Sequence, residues 1–254
     1  MASRPTVRMG RLYVDVVDFN GALTRIGDLV AAGAGGYVVT PNVDHLCLAE
    51  DDPELVAAYE SASLSLLDGV PLLWLGRLIG QPLPGKISGS DLLLPLLRRA
   101  AEQGWRVYFL GGAPGIGARA AEILRQQLPS LQVVGMDAPS LGFERDPAAQ
   151  AAVLAQIAAA RPQLLLVALG CPKQEKWMFQ ARAGYAPAVA LGIGASLDFI
   201  AGKVRRAPAW MSRVGLEWLY RLLQEPRRMA SRYLVRDRAI VGIAWRAWRR
   251  RQRP

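Results

Sequence analysis

The 254-residue chain reads as an α/β protein, with a largely parallel sheet and helices on both of its faces. Short apolar runs bounded by Gly, Pro, Asp or Asn recur along it, and Ala- and Leu-rich helical stretches separate them. A change of composition near Lys203 then divides a body, residues 1–202, from a basic helical appendage, residues 203–254.

The strands are read in order. Tyr37–Thr40 (YVVT), Leu64–Leu67 (LSLL), Val107–Leu110 (VYFL), Gln132–Gly135, Leu164–Leu169 (LLLVAL) and Ala188–Leu191 are too short for helices. Strands covered on both faces show such unbroken apolar runs rather than alternation. Asp91–Glu102, Gly117–Gln127 and Pro147–Ala160 are the helical stretches between them. No repeat of fixed period and no Gly/Ser or Pro linker divides the body.

Composition sets the broad class. At 52% hydrophobic and 20% charged residues the chain is globular, with length enough for a sizeable core. The N-terminus lacks an apolar stretch of leader length, so no secretion is expected. The apolar run Ala183–Leu197 is too short and too broken by Pro187 and glycines to span a membrane. Cys47, Cys171 and the single His45 make neither a disulfide framework nor a zinc-ligand spacing, which suits a reducing compartment.

Charge is unevenly placed. The segment from Lys203 holds fifteen of the 31 Lys and Arg but three acids, Glu217, Glu225 and Asp237, and so carries +12 of a net +10. Trp210, Trp218, Tyr220, Leu223, Trp245 and Trp248 are interleaved with these charges, as in basic amphipathic helices that seek anionic surfaces.

In parallel sheets ligands sit outside the carboxyl ends of the strands, so the residues that follow each run carry the functional reading. They are Thr40, Asn42 and His45 after the first, Asp68 after the second, and Gly111–Gly117 (GGAPGIG) after the third. Gly170–Trp177 (GCPKQEKW) and Ala195–Asp198 follow the last two. Asp68 stands alone between apolar neighbours, where desolvation raises a carboxyl's pKa and makes it a proton acceptor near neutrality; a turn cap before Gly69 is the structural alternative. Gly111 and Gly112 allow backbone N–H groups to approach a diphosphate at a helix start, although the spacing is not that of a dinucleotide fingerprint. Gly80–Lys86 (GQPLPGK) lacks the following Ser or Thr of a P-loop, which leaves Lys86 as a phosphate contact. A nucleic-acid binder would share the basic tail but not the polar residues behind the strands, and an NAD(P) oxidoreductase would want an acid closing the strand after the glycine loop, which the run read as Gln132–Gly135 lacks.

Taken in order, TPNVDHLCLAEDDPELVAAYESASLSLLDGVPL, LPGKISGSDLL, VYFLGGAPG, VALGCPKQEKWM, GIGASLDFIAGKVRRAP and GLEWLYRLLQEPRR resemble the sequence blocks of the WecG/TagA/CpsF family of bacterial glycosyltransferases, across about residues 10–235. The resemblance implies a Rossmann-like domain whose C-terminal appendage completes the active site. It implies inverting, metal-independent transfer of a sugar, typically N-acetylmannosamine, from a UDP-sugar to a polyprenyl-diphosphate-linked sugar, with no cofactor and no nucleic-acid partner. The place of work is then the cytoplasmic face of the membrane, with peripheral attachment through its anionic surface; a homo-oligomer is compatible with it. Relatives that transfer other sugars, such as glucose into exopolysaccharide, supply the alternative.

Carried over residue by residue, Thr40 and Asn42 contact donor or acceptor, Asp68 is the general base and Gln174 holds the sugar. Asp198 meets the uridine side, and Arg221 and Arg228 reach the diphosphate. Lys86 departs from the family's usual Arg, losing its bidentate fork, and Ser231 stands at another arginine position, with Arg232 beside it. No Asp-x-Asp pair is present to hold a divalent ion, so cationic side chains and backbone N–H groups must meet the leaving charge.

Overall fold

The computed structural model describes residues 5–224, 226 and 236–251. Its centre is a six-stranded sheet of parallel pairs in the order β4-β3-β8-β7-β5-β6, formed by β3 (Gly36–Val39), β4 (Leu64–Ser65), β5 (Arg106–Gly111), β6 (Gln132–Asp137), β7 (Leu164–Ala168) and β8 (Val189–Gly192). All six coincide with the apolar runs of the sequence, though β6 runs on past Gly135 to Asp137, so that an acid does close the strand after the glycine loop, contrary to the sequence reading. The run at Leu64 is pairing strand for two residues only, because the chain then turns away toward Asp68.

Strand residues alternate between two cores. Tyr37, Val39, Tyr108, Leu110, Leu165 and Val167 pack on one face. Val38, Val107, Phe109, Leu164, Leu166 and Leu191 pack on the other. Period-two alternation with both faces apolar is the physical content of an unbroken run such as LLLVA.

The helices follow from local signals. Asp18 caps α1 (Phe19–Ala32) by accepting from Gly21 N at 2.7 Å, and Gly33 ends it in the left-handed region. Asn42 and Asp52 cap α2 (Val43–Leu48) and α3 (Pro53–Glu60). Next come α4 (Val70–Leu78), α5 (Gly89–Glu102), capped by Ser88, and α6 (Ile116–Gln127), which no side chain caps. Asp146 caps α7 (Pro147–Ala160), with Pro147 in its first turn. α8 (Lys173–Gln180), α9 (Arg182–Tyr185) and α10 (Ser196–Ile200) flank β8.

The sequence analysis places no strand before Tyr37. The structure adds a hairpin there, β1 (Thr6–Met9) and β2 (Leu12–Asp15), turned at Gly10 and Arg11. Its last residue, Asp15, is buried; it accepts from Ser65 N at 2.7 Å and faces Arg25 at 3.5 Å. The hairpin thereby closes over edge strand β4.

The appendage forms α11 (Ala209–Arg213), α12 (Glu217–Gln224) and α13 (Ala239–Arg251). Helix α13 carries two apolar stripes. Ile240, Ile243, Ala244 and Ala247 face the body, with Ile243 1% exposed, while Val241, Trp245 and Trp248 face outward. Arg246 pairs with Glu50, Arg236 lies 3.3 Å from Asp44, and α13 packs on α2 and α4. The end of the tail is therefore partly a docked helix rather than wholly a membrane-seeking one.

Burying an Ile side chain stabilises by roughly 1.5–3 kcal/mol, and an uncompensated carboxylate cannot replace it. Ile243→Asp should undock α13: hydrogen exchange over residues 239–251 should accelerate by about tenfold or more while β5 and β7 keep their protection. Unchanged protection of that helix would refute its docking.

Candidate functional site

Parallel pairing delivers the ends of all six strands to one edge, and there the structure brings several sequence-predicted residues together. Asp68 follows β4 as the chain turns into α4, its N–H donating to Pro41 O at 2.9 Å. Asn42 follows β3, and its side chain accepts from His45 N at 3.4 Å. Lys86 precedes α5, and Arg221 comes from α12. Asn42, Asp68, Lys86 and Arg221 line one cavity of about 150 Å³, with Ser88, Ser212, Glu217, Trp218 and Asp237.

Asp68 and a neighbouring acid outside the cavity lining, Asp91 of α5, are driven in opposite directions. Burial pushes the Asp68 carboxyl up to about 7; Glu217 adds to the rise, while Arg221 and Lys86 oppose it. Asp91, whose burial also acts upward, is held below the usual carboxylate range by the Ser88 hydroxyl at 2.7 Å, by Arg206, and by Lys86 at 3.4 Å. Two carboxyls separated in this way supply one proton acceptor and one permanent anion.

Glu217 is the residue the sequence reading passed over. It accepts from Ser212 Oγ at 3.1 Å and lies 3.9 Å from Arg221, which sits over the Phe199 ring at 5.4 Å. Its place one helical turn before Arg221 on a short amphipathic helix was the available signal.

The other predicted residues are placed differently. Thr40 is buried, its hydroxyl turned toward the start of α5, where Gly89 leaves it room. Gly111 and Gly112 line a second cavity of about 460 Å³ with Leu169, Lys173 and Ser140, rather than the one that holds Asp68. Gly111 has φ 96°, and a side chain there would meet Ala168 O at 2.7 Å, so glycine is required. The Gly112 N–H is committed to Ala168 O at 3.0 Å, leaving the uncapped start of α6 as the source of anion-facing donors.

Gln174 is 3% exposed, at the centre of the edge. Its amide donates to Glu175 Oε1 at 2.8 Å and accepts from Gly194 N at 3.1 Å, joining the ends of β7 and β8. Asp198 lies beside this region on α10, 3.7 Å from Lys203, and lines neither cavity. Arg228, Ser231 and Arg232 lie outside the described residues. A further cavity of about 640 Å³ between the hairpin turn and α13 touches Ile79 near the far end of α4 from Asp68 and contains none of the predicted residues. No helix among the described residues is long and apolar enough to cross a membrane.

A raised carboxyl pKa has a cost in stability. The folded state holds the Asp68 proton up to about 7, whereas the unfolded chain releases it near 3.8, so stability falls as pH rises through that window. Asp68→Asn, which mimics the protonated form, should raise unfolding free energy by roughly 1–3 kcal/mol at pH 8 and by almost nothing near pH 4. A variant less stable than the parent at pH 8, by urea titration, would contradict the burial of this charge.

Comparison with known proteins brings in a family and a relative. Residues 7–254 match the family described as Glycosyl transferase WecG/TagA/CpsF. Over 200 residues, 78% of this chain and 76% of the relative, the protein is 38% identical to the N-acetylglucosaminyldiphosphoundecaprenol N-acetyl-beta-D-mannosaminyltransferase of Bacillus spizizenii.

Proposed function

Because the chain belongs to the WecG/TagA/CpsF family of glycosyl transferases, we propose that it moves N-acetylmannosamine from a UDP-sugar to an N-acetylglucosamine carried on a polyprenyl diphosphate. The observation that carries this reading is a carboxyl raised to about 7 at the strand edge, in a cavity shared with cations from both body and appendage. The activity named for the 38% identical relative favours the mannosaminyl donor over glucose. Family membership sets aside the oxidoreductase and nucleic-acid readings.

The acceptor hydroxyl attacks the anomeric carbon as the bond to the nucleotide diphosphate breaks, inverting that carbon. Asp68 takes the hydroxyl proton; it is ionised in about half the molecules near pH 7 and in most of them a unit higher, and so needs no metal to generate a base. Charge on the departing diphosphate is met by Arg221 and Lys86, with Arg228 as a further cation and the open first turn of α6 as a backbone contribution. Asn42 orients the acceptor at the cavity wall. Gln174, tied at both ends of its amide, holds the β7 and β8 ends in register and offers the sugar its second N–H; Thr40 and Asp198 act from behind the strand ends. Neither a cofactor nor a divalent ion on the diphosphate is part of this scheme.

A lipid-linked acceptor brings the enzyme to a membrane, and we place it peripherally on the inner face. Trp245, 50% exposed, and Trp248 look outward beside Arg249, while Trp74 and Trp218 stand exposed near the Asp68 cavity. Aromatic and basic side chains of this kind favour the headgroup region of an anionic surface.

Transfer from UDP-N-acetylmannosamine to a short-chain lipid-diphosphate N-acetylglucosamine tests the reading directly, with UDP-glucose as the competing donor. The rate should rise with pH through a midpoint near 7, since the base must be unprotonated. Asp68→Asn should slow transfer by ~10² to 10⁴ without loss of UDP binding. Glu217→Gln should shift the midpoint downward, the other charges around Asp68, namely Lys86, Asp91, Arg206, Arg221 and Asp237, being unchanged. A rate within about threefold of the parent for Asp68→Asn would remove it as the base.

Added Mg²⁺ or Mn²⁺ should change transfer by less than about twofold, because protein cations already face the diphosphate. A strict requirement for either ion would overturn the cationic account.

A further inference from the structure

Behind the sheet edge, on a site no part of the transfer scheme uses, His45, Cys171 and Glu175 converge. One ligand atom from each lies within 4.8 Å of the others. They come from α2, the β7–α8 turn and the first turn of α8, so no sequence spacing announces them. His45 is 4% exposed and Glu175 0%, whereas Cys171 is half-buried and opens the cluster toward the surface.

A second observation points to a ligand. Glu175 Oε1 is taken by the Gln174 amide at 2.8 Å; Oε2 is buried with no well-formed hydrogen bond, and the side chain that approaches the carboxylate is the Cys171 thiol, itself a member of the cluster. A wholly buried carboxylate oxygen without a donor is costly unless a cation or proton meets it. The His45 ring is also held as metal-binding histidines are, its Nδ1 and Tyr59 Oη lying 2.5 Å apart.

We propose that His45, Cys171 and Glu175 form a zinc site that staples α2 to the first turn of α8. A nitrogen, a thiolate and a carboxylate suit zinc better than Mg²⁺ or Ca²⁺, which take oxygen ligands, and the two anions balance the ion's charge. Zinc at about 2.0–2.3 Å from each atom needs ligands roughly 3.3–3.6 Å apart, so closure from the observed spacing asks for shifts of about 1 Å or less. Water from the Cys171 side completes a fourfold shell. The staple sits one residue from Gln174 and three from Asn42, so it orders two strand-end loops; it does not depend on the identity of the sugar.

The test uses the full chain without a histidine tag, stripped of metal. Titration with Co²⁺ should give a thiolate-to-cobalt charge-transfer band, and zinc reconstitution followed by gel filtration should leave about one ion per chain. Zinc should also raise the melting temperature by several degrees, as binding to the folded state alone requires. Cys171→Ala and His45→Ala should each lose the cobalt band, the retained zinc and the thermal response. Wild-type protein with no cobalt–thiolate band and less than about 0.1 zinc per chain overturns the site and shows a cluster satisfied by protons alone. Equal zinc retention by wild type and Cys171→Ala overturns it too, even should one variant fold poorly, since the wild-type measurements decide without the variants.

Discussion

Parallel pairing is the constraint on which the rest of this protein depends. It forces each strand to end at the same edge, so residues as distant as Asn42, Asp68 and Gln174 share one surface without any of them being neighbours in the chain. The apolar cores on both sheet faces hold that edge rigid, and the polar groups arranged along it inherit the rigidity. The appendage then supplies what the edge lacks. Arg221 and Glu217 arrive on α12, turning a shelf that bears one carboxyl into a cavity with opposed charges.

The same closure tunes the chemistry. Asp68 sits at the mouth of a strand and would be an ordinary solvated acid without a cover. The strand ends and the covering helix withdraw it from much of the bulk water, and Glu217 adds a like charge from that helix. Attachment of the appendage and the state of the Asp68 carboxyl are thus coupled in physical terms: α12 brings both Glu217, which adds to the rise, and Arg221, which opposes it. A cover that carried cations alone would depress the carboxyl it closes over.

Legibility in the sequence followed the range of the physics involved. Runs such as YVVT and LLLVA announced buried strands because double-sided burial leaves almost no polar position in them, and the Ala-rich stretch Pro147–Ala160 announced a helix that the structure shows capped by Asp146. Asp68 was visible as a lone acid among apolar residues. What escaped was tertiary. The hairpin at residues 6–15 mixes Arg and Tyr into its exposed face, and α13 hides its docking stripe behind a denser pattern of Arg and Trp. Lys173-Gln174-Glu175-Lys176 looks like a solvated helical turn, yet its two middle residues are sealed beneath the end of β8. No periodicity reports which polar residues another strand will cover.

The hydrogen bond from Ser65 to Asp15 deserves to be followed to its end. Strand β4 is the last in the sheet on its side, and its outer backbone groups would otherwise be open to any extended chain. A buried carboxylate, itself fixed by Arg25, occupies the one N–H that the short strand presents outward at Ser65. Closure of this edge costs no extra strand, only one anion and the hairpin that carries it. It leaves the sheet with a side whose outward N–H is already taken, so that an extended segment of a second copy finds no free donor there to continue the ladder.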